Sequence, residues 1–361
     1  MDKQLRIKLN EIFRHAKGVG KIVLVNTDRQ DPNFTYLTQF TSGLFENDIL
    51  VLESAGARQY TSELEYETAM LQRAPGIKIT KLTEGNYKKL LSSELKGKRI
   101  GINGGFLPYA TYMGLKKYKP NKIIDVSGSL EQARIVKTNA EIENIKKAVR
   151  VTKSAMRTIQ KYFKAGMKET DLAKKFDEIS SGLGSEGPSF PTIVCFGKNA
   201  ALPHHFPDGT KLKKGDFILI DAGSRNKNYC SDITRTFLFG IKSREDYEKK
   251  MAIYNAVKQA QQLAISKIKQ GVKGGAVDNA ARDYINSVEN GKYKNTFIHS
   301  LGHSIGIEVH DGSGRMLGPG SLQVLKEGMI TSVEPGIYIN GFGGVRIEDD
   351  VLVTTKGGKV L

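Results

Sequence analysis

Apolar runs at 22–25, 49–52, 77–79, 100–102 and 123–126 alternate with stretches of helical spacing over the first 129 residues. Strands alternating with helices predict an α/β domain. Ser127-Gly128-Ser129 then punctuates the chain, and Thr138, three residues before Glu141, forms a capping box for a new helix. The pattern sets a boundary near 129, giving an N-terminal domain over 1–129 and a C-terminal domain over 130–361.

In the second domain a helix from about 139 carries Ile142, Ile145, Val149 and Thr152 at helical spacing, and another runs around Leu172, Phe176 and Ile179 to stop at Gly182. Strand-like runs follow. After Gly240 the order recurs, with a helix over about 244–270 ending at Gly271, another over about 276–289 ending at Gly291, and strand-like runs to the C-terminus. The expected fold class is α+β, with two pseudo-symmetric helix-helix-antiparallel-strand halves behind a smaller α/β domain. The recurrence is one of elements and not of residues. Two such halves sharing one sheet would bring their hairpins face to face.

Composition narrows the class. Of 361 residues, 39% are hydrophobic and 26% charged, as in ordinary globular proteins. No apolar run approaches the ~18 residues of a membrane span, and the N-terminus carries Asp2, Lys3, Arg6, Lys8 and Glu11 where a signal core would be apolar. Cys195 and Cys230 stand outside any paired ligand spacing and read as buried thiols in a reducing compartment, so a cytoplasmic address is expected. The net charge of +17 divides into +7 up to residue 129 and +10 beyond it. An excess spread this evenly, without a basic arm, reads as a solvated surface and not as a nucleic-acid footprint.

Asp221 ends the apolar run 217–220, and Asp232 precedes Ile233-Thr234-Arg235-Thr236-Phe237, with Arg225-Asn226-Lys227-Asn228 between them. This is a hairpin pattern. A turn centred on Asn226-Lys227 pairs 221 with 232 directly, where opposed Cβ atoms stand about 4.5 to 5.5 Å apart. Carboxylates that close on an apolar sheet repel unless one is protonated, one turns to solvent, or a cation lies between them. Glu334 and Glu348 repeat the device: a turn centred on Gly341 pairs 334 with 348, and alternation puts Arg346 on the face of Glu348. His204, His205, His299, His303 and His310 are interleaved with these hairpins, and the glycine-punctuated stretch 299–306 reads as strand-like backbone close to a ligand. An oxygen-rich set with one imidazole suits Mn, Co, Fe or Zn better than a thiolate-bound structural zinc. Two divalent ions about 3.5 to 4 Å apart can share a hydroxide nucleophile and stabilise attacking and leaving oxygens, as in dinuclear hydrolases.

At these residues the chain resembles the pita-bread metallopeptidases, and within them prolidase and Xaa-Pro aminopeptidase. The resemblance is carried by Ala201-Leu202-Pro203-His204, by Asp221 with Ser231-Asp232-Ile233-Thr234-Arg235-Thr236, by Gly302-His303 with His310, by Glu334-Pro335-Gly336 and by Arg346-Ile347-Glu348-Asp349-Asp350. It spans 130–361. The N-terminal domain is similar to the family's creatinase-type α/β domain chiefly through Asn33-Phe34-Thr35-Tyr36-Leu37-Thr38.

The resemblance implies that Asp221, Asp232, His303, Glu334 and Glu348 bind two divalent metal ions, with Asp232 and Glu348 bridging and Glu334 also shuttling a proton. It implies that His204 meets the substrate or leaving group, that His310 donates a hydrogen bond to the tetrahedral intermediate, and that Arg346 supports Glu348 or an anionic substrate end. His205 reads as a bystander. One departure is Asp311, which follows His310 where the family commonly has Glu and precedes Gly312-Ser313-Gly314.

The expected activity is hydrolysis of Xaa-Pro bonds, from dipeptides or from peptides with proline second. Such a bond is a tertiary amide without N–H, which general peptidases handle poorly. Methionine aminopeptidase shares the fold, but the long N-terminal domain and Arg346 argue against it. A non-catalytic binding protein of the same fold would suit the charge, yet such relatives have lost ligands that this chain keeps. The family also implies a homodimer, and manganese among the metals.

Overall fold

Strands buried on both faces must be covered on both, and the continuous apolar runs of the first 130 residues meet that condition. The computed structural model describes residues 2–72, 75–312 and 316–361, so Ser313 and Gly314 of the turn after Asp311 lie outside the described residues. The chain divides into two compact units, one ending at Arg134 and the other spanning Ile135–Leu361.

In the first unit, β1 (Lys21–Val25), β2 (Ile49–Glu53), β3 (Gly56–Thr61), β4 (Ile77–Lys81), β5 (Arg99–Ile102) and β6 (Lys122–Asp125) form one sheet in the order β4-β3-β2-β1-β5-β6. Helices α1 (Lys3–His15), α2 (Pro32–Thr38), α3 (Tyr66–Gln72), α4 (Glu84–Leu95) and α5 (Tyr109–Lys116) intervene. Val23, Val51, Leu91, Leu95 and Ile100 share one core.

Strand β3 has no apolar run to announce it. Its polar side chains find hydrogen-bond partners inside: Gln59 Nε2 and the Thr61 hydroxyl donate to Asp48 at 2.8 and 2.9 Å, and the Tyr60 hydroxyl donates to Glu94 at 2.5 Å. Ser127-Gly128-Ser129, expected to break the chain, instead opens α6 (Ser127–Ile135). The reason is local, since Asp125 Oδ1 accepts from the Ser127 N–H at 2.9 Å and from its hydroxyl at 2.5 Å and so caps the first turn.

The second unit opens with α7 (Asn139–Ile159), where Thr138 and Glu141 close the capping box, and continues with α8 (Glu169–Gly182). Strands β7 (Ile193–Phe196), β8 (Phe217–Ala222), β9 (Arg225–Asn226), β10 (Tyr229–Cys230) and β11 (Ile233–Leu238) follow. The order then recurs as α9 (Arg244–Lys267), α10 (Gly274–Ser287), β12 (Ile330–Val333), β13 (Gly336–Ile339), β14 (Gly343–Arg346), β15 (Asp349–Val353) and β16 (Gly358–Val360). Small residues of α9, Ala256, Ala260 and Ala264, pack with Leu219, Val333, Val345 and Val351 in a common core.

Among the described residues the strands of the two halves form separate ladders: β11-β8-β7, β10-β9, β12-β15-β16 and β13-β14. Point contacts join the two halves. The Glu348 N–H donates to the Thr234 carbonyl at 3.1 Å, and the Thr236 hydroxyl donates to the Arg346 carbonyl at 2.9 Å. The stretch 299–306, expected to be strand-like, is irregular, with bridges only at Gly302↔Leu317 and Ser304↔Thr331. Glycine is required at 302, because a Cβ there would collide with the Ser332 carbonyl oxygen. No helix among the described residues is long and apolar enough to cross a membrane.

Candidate metal centre

The first hairpin turns one residue later than the sequence reading places it. Asn226 pairs with Tyr229, so the tip is Lys227-Asn228, with φ of 47° and 67°. Positive φ at both positions is the signature of the tight hairpin turn whose twist matches the strands, and Asn228 suits it. The register therefore sets Asp221 opposite Thr234 and not opposite Asp232. Asp232 lies two residues along on the same face, a diagonal neighbour, where separations are about 7 to 8 Å. The direct Asp221–Asp232 pairing is thus corrected to an offset one.

The second hairpin has the expected offset. Gly336 pairs with Arg346 and Ile339 with Gly343, centring the tip on Gly341, whose φ is 77°. Further down, Val333 pairs with Asp349 in the same offset. Between these ladders the strands part at Glu334-Pro335 and Ile347-Glu348, where proline has no N–H to donate. Glu334 and Glu348 occupy that gap.

Ligating atoms of Asp232, His303 and Glu348 all lie within 4.8 Å of one another. Glu334 is drawn to the same imidazole, with Oε1 3.3 Å from His303 Nε2, while Asp232 Oδ2 stands 3.6 Å from it. Asp221 is held to one side by Arg346, whose Nη2 donates to its Oδ2 at 2.6 Å. His303 and His310 lie with ring centroids 4.0 Å apart. His204 is exposed and makes no hydrogen bond among the described residues, but it lies within electrostatic reach of His299 and His310.

The carboxylates divide by charge environment. Burial, followed by repulsion from Glu348 and Asp221, pushes Asp232 well above the usual carboxylate range. Burial, followed by Glu334 and Asp221, does the same to Glu348. Glu334 goes the other way: burial would raise it, but the hydrogen bond and charge of His303 outweigh that and hold it down at about 2. Buried oxygens of Asp221 (Oδ1), Asp232 (Oδ1), Glu348 (Oε1) and Asp350 (Oδ1) have no hydrogen-bond partner among the described residues. Mutually repelling buried acids with unpartnered oxygens and one imidazole are a donor set that fits divalent cations.

The sequence reading gives no role to several other residues of the centre. The Thr234 hydroxyl donates to Glu348 Oε2 at 2.5 Å and accepts from Arg346 Nε at 3.1 Å. The Tyr338 hydroxyl accepts from Arg346 Nη1 at 3.0 Å and lies 2.8 Å from His299 Nε2. The Ser332 hydroxyl donates to Glu334 Oε1 at 3.2 Å and accepts the His303 N–H at 3.1 Å. Alternation alone puts Tyr338 on the face of Glu334, two steps of period 2 away.

Residues 143–355 match metallopeptidase family M24, and residues 15–136 match the Creatinase/Prolidase N-terminal domain. The chain is 36% identical over 314 residues to an Xaa-Pro dipeptidase of Pyrococcus furiosus, covering 86% of each chain. Among solved structures it is similar to an Xaa-Pro dipeptidase from Bacillus anthracis, with TM-score 0.87 and 33% identity over 99% of this chain and 96% of that one. It is also similar to an X-Pro aminopeptidase from Thermotoga maritima, with TM-score 0.85 and 28% identity over 96% and 97%. The fold is therefore a creatinase-type N-terminal domain followed by a pita-bread domain. The chain belongs to metallopeptidase family M24.

Proposed function

We propose that this enzyme is an exopeptidase specific for Xaa-Pro bonds, acting foremost as a dipeptidase. The observation that carries the hydrolytic reading is the convergence of Asp232, His303 and Glu348 beside buried, unpartnered carboxylate oxygens. The proline preference is supported by the relatives' names, Xaa-Pro dipeptidase and X-Pro aminopeptidase.

Asp221, Asp232, His303, Glu334 and Glu348 would hold two divalent ions, whose Lewis acidity, when they are bound, activates water and polarises the scissile carbonyl. Glu334 is the residue to take the proton of the attacking water and pass it to the departing nitrogen; the Ser332 hydroxyl at 3.2 Å orients it. Burial, then the charge of His303, lowers the pKa of His310, so a neutral ring there donates a hydrogen bond to the developing oxyanion. Arg346 is buried and committed to Asp221, Tyr338 and Thr234, so its role is to brace the carboxylates and not to meet a substrate end. The exposed His204 is the residue free to contact substrate.

Metal-loaded protein incubated with Ala-Pro, Ala-Pro-Ala, Ala-Ala and Met-Ala tests the reading. Cleavage of Ala-Pro alone is the expected result. Cleavage of the tripeptide as well reassigns the enzyme to the aminopeptidase form, whereas hydrolysis confined to Met-Ala, or none with any metal, overturns the proposal. In Glu348→Ala protein, turnover and metal content should be lost together.

A further inference from the structure

We infer that His205 and the buried Glu169 form a latch that positions His204 for substrate, an inference that rests on the role proposed above for His204. Glu169 is the first residue of α8 and is 0% exposed. Its Oε1 accepts from the Phe196 N–H at 2.6 Å and from Asn199 Nδ2 at 3.0 Å. Its Oε2 accepts from His205 Nε2 at 2.8 Å and from the Asp208 N–H at 3.1 Å. One buried anion thus gathers donors from the end of β7, the turn after it and the loop beyond His204. Glu169, His205 and Asp208 lie close enough to hold a cation. However, a carboxylate has about four lone-pair positions, and four donors fill those of Glu169, so it serves as an anchor.

His204 lies inside this closed segment and has no anchor of its own. The His205 N–H donates to the Leu202 carbonyl at 3.1 Å, closing a turn with Pro203 and His204 at its two central positions. Pro203 fixes its own φ on one side of His204, and the imidazole of His205 ties down the other. What remains free is the His204 side chain, exposed at the apex. A buried carboxylate that lost its imidazole donor would be left under-satisfied, and the turn would lose its fixed end. His205, set aside as a bystander from the sequence, is on this geometry a positioning residue.

The test compares His204→Ala, His205→Ala, the double variant and His205→Gln, which keeps an N–H donor for Glu169, with kcat and KM on Ala-Pro and metal content measured for each. His205→Ala should lower kcat/KM by about 10- to 100-fold, the scale of a misplaced catalytic group, at unchanged metal content. The double variant should be no worse than His204→Ala, and His205→Gln should recover most of the loss. Full activity in His205→Ala, or additive losses in the double variant, overturns the latch. If His204→Ala alone keeps full kcat/KM, the role proposed for His204 fails, and hydrogen exchange across 196–208 then decides the latch. Faster exchange in His205→Ala, restored in His205→Gln, supports it, and unchanged exchange overturns it.

Discussion

A single hydroxyl connects the acids of the two halves. Thr234 donates to Glu348 at 2.5 Å while accepting from Arg346 at 3.1 Å, and Arg346 grips Asp221 at 2.6 Å. Thr234→Val keeps the shape and removes the link, leaving the buried Nε of Arg346 unpaired and Glu348 short of a donor. Partners one step behind metal ligands typically account for 10- to 100-fold in affinity, so a loss of about that size is expected for Thr234→Val. Competition with a chromophoric chelator measures it. Circular dichroism should show the fold intact, and unchanged affinity would sink the idea that the hydroxyl orients Glu348.

At the level of elements, the first hairpin pairs through a tip in which Lys227 adopts φ of 47°. A left-handed conformation costs an ordinary side chain roughly 1 to 2 kcal/mol, and asparagine tolerates it better. Lys227→Asn should therefore stabilise the second unit by on the order of 0.5 to 1 kcal/mol, read as a raised denaturant midpoint; a lowered midpoint would argue against this tip. The same tip explains where the sequence was ambiguous. Asn226 and Asn228 are both turn-formers, and nothing in the residues alone decides which pair is central, whereas in the second hairpin the tip lies at Gly341, where the sequence reading places it. Helices announced by Thr138 and Gly182 were legible for the same reason, since caps and stops are local chemistry. Strand β3 was not, because its support comes from Asp48 and Glu94, far away in sequence. Glu169 escaped notice likewise: its partners lie 27 to 39 residues downstream.

At the scale of the whole molecule, each unit has an apolar core of its own among the described residues, so unfolding need not be a single transition. The chain has no tryptophan, and hydrogen exchange is the natural way to follow each unit. In the first unit burial would raise the carboxyl of Glu94, but hydrogen bonds from Arg58, Lys21 and Tyr60 outweigh it and hold its pKa at about 2, against 4.5 for the free group. A depressed folded value means stability that is complete above pH 4.5 and lost as pH falls towards 2. That contribution is roughly 3 kcal/mol. Asp48 acts in the opposite sense: burial lifts it to about 6, so its charge costs stability above that pH and the cost fades as pH falls to 3.8. Glu94→Gln should therefore weaken the first unit most near neutrality and progressively less in acid, and a gap that stays constant with pH would contradict the assignment.

The offset that aligns β12 with β15 also aligns β13 with β14, across the gap that holds Glu334 and Glu348. Descendants of this sequence therefore have latitude in the length of the tip at 340–342, since neither ladder counts those residues, although Phe342 is tied there by its packing against Phe217. Beside Pro335 there is no such latitude. One residue gained or lost there would turn Glu334 to the far side of its strand, so that segment is fixed in length.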